Sequence, residues 1–122
     1  MTRDRISAGR RGEELAADCL ARVGYTILAR NWRCPLGELD IVARDGETLV
    51  FVEVRTRRSA RFGSPEESVG FSKRQKLSRL AAFYLHRHGL FDVPARFDVV
   101  AVHLLPSGPE LELIRDAFDL IS

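Results

Sequence analysis

Three charged residues of one predicted β-hairpin have the types and spacing to do chemistry: Asp40, Glu53 and Arg55. Glu53 and Arg55 interrupt the β-branched and aromatic run "LVFVEVRTR" at 49–57, where desolvating a charge is costly unless it is paired or bound to a metal. Paired carboxylates are hard oxygen ligands suited to Mg²⁺, which can polarise a phosphodiester and help to generate a nucleophilic hydroxide. The pattern therefore indicates either a metal site or a network of ion pairs that holds the hairpin together.

The register of the hairpin decides whether the two acids meet. Within "GELDIVARDGETLVFVEVRT" at 37–56, Asp45 and Gly46 are a strong turn signal. If they are the central pair of a two-residue turn, Asp40 lies across from Phe51. Glu53 is then its diagonal neighbour on the same face, about 7–8 Å away between Cα atoms. A loop shifted by one residue is expected to send Asp40 to the opposite face, so the turn register decides whether a site exists.

Periodicity and turn residues predict the elements around this hairpin. Apolar residues at helical spacing favour helices over 9–23 and 72–88, ended by Gly24 and Gly89. Strands are expected at 25–32, at 96–105 ("RFDVVAVHLL", covered on both faces) and at 111–116 after the turn "PSGPE". "SPEE" at 64–67 has the form of a capping box and predicts a short helical turn. The order α-β-β-β-α-β-β predicts one α/β domain over 1–122, a mixed sheet flanked by helices.

Length and composition restrict the class of protein. The 122 residues are 45% hydrophobic and 30% charged, the balance of a soluble globular domain. No apolar run approaches the roughly 20 residues that span a bilayer, and the first residues show no secretion signal. The two cysteines form no CxxC pair. A reduced, cytoplasmic protein without a membrane partner is the simplest expectation.

The distribution of charge says more than the net charge of +2. Two local clusters of basic residues could neutralise the phosphates of a nucleic acid, and two solvated surfaces are an equally good interpretation. The clusters are Arg55, Arg57, Arg58 and Arg61, followed by Lys73, Arg74, Lys76 and Arg79.

Taken whole, the sequence resembles the YraN-like proteins, uncharacterised bacterial relatives of the archaeal Holliday-junction resolvases in the PD-(D/E)xK nuclease superfamily. The resemblance extends from about residue 9 to 102. It is carried by the blocks "GRRGEELAADCLARVGYTILARNWR", "GELDIVARDGETLVFVEVRTR", "FGSPEESV", "SKRQKLSRLAAFYL" and "RFDVVAV" in this order. The resemblance implies a restriction-endonuclease-like fold.

By position, the resemblance implies roles for individual residues. Asp40 and Glu53 would bind Mg²⁺ or Mn²⁺, Glu13 in the first helix would complete the acidic site, and Arg55 occupies the place of the motif lysine. Lys73 would open the second helix as the basic residue that relatives tend to carry there. The residues expected to contact the nucleic-acid backbone are Arg57, Arg58, Lys73, Arg74 and Lys76.

The function expected from this resemblance is metal-dependent hydrolysis of phosphodiesters in DNA, with branched DNA as a candidate substrate, by a protein that we expect by analogy to be a homodimer. Arg55 can stabilise charge or orient water, but arginine stays protonated and is a poor proton acceptor. Two alternatives therefore stay open. One is a nucleic-acid-binding module of the same fold without catalysis, and the other is a structural or partner-binding protein.

Overall fold

The computed structural model describes residues 2–58 and 69–120, with only the backbone of 2–7. The "SPEE" segment at 64–67 lies outside the described residues. The order α-β-β-β-α-β-β is confirmed. The elements are α1 (Thr2–Arg22), β1 (Thr26–Cys34), β2 (Gly37–Asp45), β3 (Thr48–Arg57), α2 (Phe71–Arg87), β4 (Ala95–Leu105) and β5 (Gly108–Phe118).

The five strands form one mixed sheet, as the sequence predicts, and their spatial order is β1-β2-β3-β4-β5. Strands β3 and β4 are parallel, and every other neighbouring pair is antiparallel. The helices cover opposite faces, because alternate residues of β3 pack into two separate apolar clusters. Neither described helix is long and apolar enough to cross a lipid bilayer. The α1 cluster includes Ala16, Leu20, Ile41, Val50 and Val52, and the α2 cluster includes Leu39, Phe51, Leu77, Leu80 and Tyr84.

The first helix begins at Thr2, seven residues before the predicted start. The prediction treated Gly9 as the boundary, but a Cβ added at Gly9 would meet no atom within 4 Å, so the helix passes through it without strain. Gly12 has a different role. A Cβ there would overlap with Oγ1 of Thr56 on β3, so the glycine allows α1 to approach the sheet closely.

The last hairpin is tighter than predicted. Leu105 pairs with Gly108, so only Pro106 and Ser107 form the loop, and β5 begins inside the segment "PSGPE". Pro109 is tolerated in β5 because this strand is at the edge of the sheet, where a missing backbone N–H leaves no ladder bond unmade.

The turn of the central hairpin corrects the predicted register. Asp45 pairs with Thr48, so the central pair is Gly46 and Glu47 rather than Asp45 and Gly46. Gly46 has a φ of 61°, which suits the first central position of a type II′ turn. Moving the turn by one residue shifts the pairing by two positions. Residues 41–45 therefore keep their predicted faces, and the expectation that a loop shifted by one residue reverses the face is wrong. Asp40 moves from opposite Phe51 towards Glu53.

The "RFD" block forms a buried polar network at the hairpin end of the sheet. Asp98 is fully buried and accepts hydrogen bonds from the hydroxyl of Tyr25 at 2.6 Å, Nε of Arg96 at 3.0 Å and the backbone N–H of Asp116 at 3.0 Å. Asp116 has a φ of 52° and lies in the irregular part of β5. Arg96 also contacts Asp45 at 2.8 Å. Asp98 therefore ties the end of α1, the central turn and the irregular part of β5 together.

Candidate metal centre

Asp40 lies where β2 separates from β3. The pairs between these strands end at Ile41, opposite Val52, and the carboxyl of the next residue, Asp40, hydrogen-bonds to that of Glu53. Leu39 packs in the α2 cluster and Ile41 in the α1 cluster, so the regular alternation of faces is broken at Asp40. Oδ2 of Asp40 accepts a hydrogen bond from the backbone N–H of Val54 at 2.9 Å. This bond holds the carboxylate against β3 beyond the end of the regular pairing.

Glu13 and Glu38 converge on Asp40. One carboxylate oxygen from each of the three half-buried residues lies within 4.8 Å of the others. Glu13 comes from α1, whereas Glu38 and Asp40 both belong to β2, so one helix and one strand bring the three acids together. Three negative charges at this separation repel one another, and a divalent cation with oxygen ligands would offset that repulsion.

Glu38 is the site residue that the sequence reasoning missed. The signal was present in "GELD", because Glu38 stands two residues before Asp40 in the same strand. It also faces Arg33 in the β1–β2 register, with Nε of Arg33 2.9 Å from its carboxylate. The Arg33 side chain is 79% exposed, so this pair contributes little to stability and leaves the other oxygen of Glu38 for a ligand.

The position of Glu13 depends on α1 and on β1. The close approach at Gly12 brings the first helix against β3, and the next residue is Glu13. Asn31, which has a φ of 51°, hydrogen-bonds to the Glu13 carboxyl from β1. Burial and the nearby charge of Asp40 raise the pKa of Glu13, against the lowering effect of the Asn31 hydrogen bond. Asparagine adopts a positive φ more readily than most residues, but no pattern in the sequence pointed to this one.

Glu53 is the most buried acid of the site, with only 6% of its side chain exposed. Burial, the charge of Asp40 and a hydrogen bond between the two carboxyls raise the pKa of Glu53 to about 7. Lys73 and Arg55 act in the opposite direction, with Nζ at 3.6 Å and Nη2 at 3.7 Å from its Oε2. These separations exceed ordinary hydrogen-bond length, so the two cations compensate the charge without clamping the carboxylate.

Lys73 reaches the site from the second helix. It lies near the start of α2, where the helix dipole disfavours a cation, and its contact with Glu53 compensates for this. Its side chain is 41% exposed, so the ammonium group stays accessible to a ligand. Arg55 contributes a second cation from β3 and is 21% exposed.

Arg57 and Arg58, which were predicted to contact nucleic acid, have no described contact with the acidic site. Arg57 is exposed, and its Nη1 donates to the backbone carbonyl of Thr56 at 2.9 Å. Arg58 is exposed and lines a cavity of about 320 Å³ together with Arg11 and Leu104, a residue of the α1 cluster. These two arginines therefore lie at the end of β3, and no described contact joins either of them to the carboxylates.

Arg74 and Lys76 follow Lys73 on α2 but have different surroundings. Nε of Arg74 donates to the carbonyl of Val69 at 2.7 Å, and its guanidinium lies 5.0 Å from the ring centre of Phe118, so these contacts are within the fold. Lys76 is exposed, and its side chain passes beside Gly37 at the start of β2. Lys73 is thus the member of the predicted set that the structure brings to the acids.

Fold and site together define a small α/β protein in which a mixed sheet and two helices surround a group of carboxylates. The chain matches the model of the family described as "Uncharacterised protein family UPF0102" over residues 12–102. A UPF0102 protein of Syntrophus aciditrophicus is 50% identical over 115 residues, covering 94% of this chain and 91% of the relative. One from Geobacter sulfurreducens is 53% identical, covering 92% and 88%, and one from Moorella thermoacetica is 59% identical, covering 85% and 87%.

The protein belongs to the UPF0102 family, and the resemblance to the YraN-like proteins is confirmed. The matched region contains all four carboxylates of the site and both cations beside Glu53.

Proposed function

We propose that this protein is a metal-dependent hydrolase of phosphodiesters in nucleic acid, with DNA, including branched DNA, as the favoured substrate and a PD-(D/E)xK-type fold. The observation that carries the proposal is the position of Asp40. Its carboxylate adjoins the Glu13–Glu38 pair and also the buried Glu53. The parallel arrangement of β3 and β4, with α2 between them in sequence, agrees with this fold.

The residues present fit a hard divalent cation. All four acids offer carboxylate oxygens and none offers sulfur or nitrogen, a ligand set suited to Mg²⁺ or Mn²⁺. Asp40, Glu13 and Glu38 would hold such an ion, with Glu53 adjoining through Asp40. When bound, the ion would polarise a phosphodiester and lower the pKa of a coordinated water.

The cations supply the remaining chemistry. Lys73 has an exposed ammonium 3.6 Å from Glu53, where it can contact a phosphate oxygen or orient a water. Arg55 presents a planar guanidinium that can stabilise the negative charge that develops on the phosphate. Lys73 supports catalysis because it brings a lysine to the acids from α2 in a protein that has arginine at the motif position.

Binding without hydrolysis is the second candidate function, and the arginine at position 55 favours it. Arginine cannot take up a proton under ordinary conditions, so its presence weakens any mechanism that uses this position as a base. The same charges would still hold a cation and a nucleic-acid backbone. A homodimer stays part of both proposals, because a symmetric branched substrate offers two equivalent sites.

The proposal is tested by titrating Mn²⁺ into the wild type in a calorimeter, followed by cleavage assays on junction, duplex and single-stranded DNA. We expect binding and metal-dependent cleavage in the wild type and neither in Asp40→Asn. Asp18→Asn is the matched control, because Asp18 is an exposed acid of α1 outside the site, and it should behave as wild type. Absence of Mn²⁺ binding by the wild type would reject a metal-dependent hydrolase, and metal and DNA binding without cleavage would favour the second function.

A further inference from the structure

The second helix has a one-sided charge content. Five of the chain's 19 Lys and Arg residues and none of its 17 acidic residues lie in α2. Two of the five are occupied within the fold, since Lys73 contacts Glu53 and Arg74 contacts Val69 and the Phe118 ring. The other three, Lys76, Arg79 and Arg87, are exposed.

These three cations have no partner of opposite charge in the described part of the chain, where no carboxylate oxygen lies within 4 Å of them. In a solvated helix, acidic residues placed three or four positions from basic residues form stabilising ion pairs, and α2 contains no such pair. Among residues 2–58 and 69–120, the charge therefore stays uncompensated along the helix, as expected for a surface that binds a polyanion.

Helical spacing aligns the cations. Lys76, Arg79, Phe83 and Arg87 are separated by three, four and four residues, so they form one stripe on a single flank of α2. At 1.5 Å per residue the stripe is about 16 Å long. This length corresponds to about five phosphates of one DNA strand at 3.4 Å each.

The stripe begins beside the acidic site and borders an aromatic group. The side chain of Lys76 passes within 3.1 Å of the position that a Cβ on Gly37 would occupy, next to Glu38. Farther along, Trp32 of β1 packs against Phe83 with ring centres 6.2 Å apart, and both side chains are half-buried. Proteins that bind single-stranded nucleic acids combine basic residues, which contact phosphates, with aromatic rings, on which bases stack.

We infer that the stripe of Lys76, Arg79, Phe83 and Arg87, with Trp32 beside it, is the surface along which a nucleic-acid strand leaves the acidic site. The inference rests on the proposed function for its partner. It goes further by assigning a path along α2 that includes Arg79, Phe83, Arg87 and Trp32, and by directing the strand away from Arg57 and Arg58. The cations would contact successive phosphates, while Trp32 and Phe83 would lie against the sugars or an unpaired base.

The test measures DNA binding in EDTA, so that metal binding and cleavage play no part. The variant Arg79→Gln/Arg87→Gln is compared with Arg22→Gln/Arg44→Gln, which removes two exposed arginines elsewhere on the surface. Loss of two phosphate contacts should reduce the slope of log affinity against log salt by about 1.8 for duplex or 1.4 for single strands. We expect this reduction, with affinity about tenfold weaker or more at 0.1 M salt, in the α2 variant and not in the control.

Trp32 gives a second readout, because it is the only tryptophan of the chain. Addition of unlabelled oligonucleotide should change its fluorescence at the concentration at which binding saturates. Equal slopes for the two double variants, or saturated binding with unchanged Trp32 emission, would overturn the assigned path. Loss of hydrolysis alone would instead count against the proposed function, since the binding experiment contains no metal.

Discussion

The backbone N–H of Val54 donates a hydrogen bond to the carboxylate of Asp40 across 2.9 Å. Val54 follows Glu53 directly in β3, so this bond fixes the distance between the two acids after the regular pairing of β2 and β3 has ended. A ligand held by a backbone donor is oriented before any ion arrives. The geometry of the site therefore depends on the strand ends and not only on the acids themselves.

Asp40→Asn and Asp40→Ala should separate the charge of Asp40 from its hydrogen bond. The amide oxygen of asparagine can still accept from Val54, so we expect Asp40→Asn to lose Mn²⁺ binding while the free energy of unfolding changes by less than about 1 kcal/mol. Alanine leaves the Val54 donor without this acceptor and should cost about 1–3 kcal/mol in addition. Urea unfolding and calorimetry measure the two effects, and equal stability of the two variants would contradict the structural role of the bond.

Glu38→Gln tests the acid that the sequence reasoning missed. We expect Mn²⁺ affinity to fall by about 10–100-fold, because one of three converging carboxylates becomes a neutral amide. Arg33→Gln is the matched control, since it breaks the same surface ion pair but leaves the Glu38 carboxylate intact. Calorimetric affinities should differ between the two variants, and an equal loss in both would assign Glu38 to the ion pair alone.

The raised pKa of Glu53 gives stability a defined pH dependence. The folded protein holds a proton on Glu53 up to about pH 7, whereas the unfolded chain releases it near 4.5, so the folded state binds more protons between these values. The contribution of Glu53 is complete below pH 4.5 and is lost as pH rises through 7, on the order of a few kcal/mol. Urea unfolding at several pH values should show this loss.

Glu53→Gln is the control for this pH dependence. It keeps a neutral group of similar shape, so the variant should lose the part of the decline between pH 4.5 and 7 that belongs to Glu53. At pH 8 we expect it to be more stable than the wild type, because no buried charge has to form. Parallel stability curves for the two proteins would place the titrating group elsewhere.

Gly12→Ala should weaken the contact between α1 and the sheet. The new Cβ would overlap with the Thr56 side chain, and we expect a loss of about 1–3 kcal/mol in the free energy of unfolding, partly recovered by adding Thr56→Ala. Gly9→Ala changes the same helix where nothing lies within 4 Å, and it should stabilise the protein by about 0.5–1 kcal/mol. Thermal or urea unfolding of both variants checks the contrast, and a neutral Gly12→Ala would show that the helix can move away.

Asp98→Ala should be the most destabilising of these changes. It removes the acceptor of four hydrogen bonds from three residues and leaves the charge of Arg96 without its buried partner, at a cost of about 3–5 kcal/mol. Tyr25→Phe removes one of these donors and should cost about 1–2 kcal/mol. Urea unfolding measures both, and a cost below about 1 kcal/mol for Asp98→Ala would mean that the network does not stabilise the fold.

Most of the fold could be predicted because each element has a local signal. Gly89, with a φ of 65°, ends the second helix where the sequence places it, and the buried run of β4 lies inside the sheet between β3 and β5. The early start of α1 could not be predicted, since its first turns carry no apolar stripe. The role of Asp98 could not be predicted from the block "RFDVVAV", because its partners are residues 25, 96 and 116 and depend on the tertiary fold.

The site was predictable only in part. The prediction that Asp40 and Glu53 converge holds although the turn lies one residue farther along, because the pairing then shifts by two positions and brings Asp40 closer to Glu53. Glu38 was missed because its contribution depends on where β2 separates from β3. The contact between Lys73 and Glu53 joins residues 20 positions apart in the sequence. No rule of sequence spacing predicts a contact between the start of α2 and β3, because residues 59–68 lie between these elements.

The four carboxylates and the ammonium group of the acidic site come from α1, β2, β3 and α2, so no fragment of the chain contains the whole constellation. An ion bound there would be released as soon as α1, which carries Glu13, detached from the sheet. Ion binding would then increase the free energy of unfolding of the domain by about 1.4 kcal/mol for each tenfold excess of free ion over its Kd. Ion binding and unfolding of the domain would therefore be thermodynamically linked, and the melting temperature would rise with the concentration of free ion.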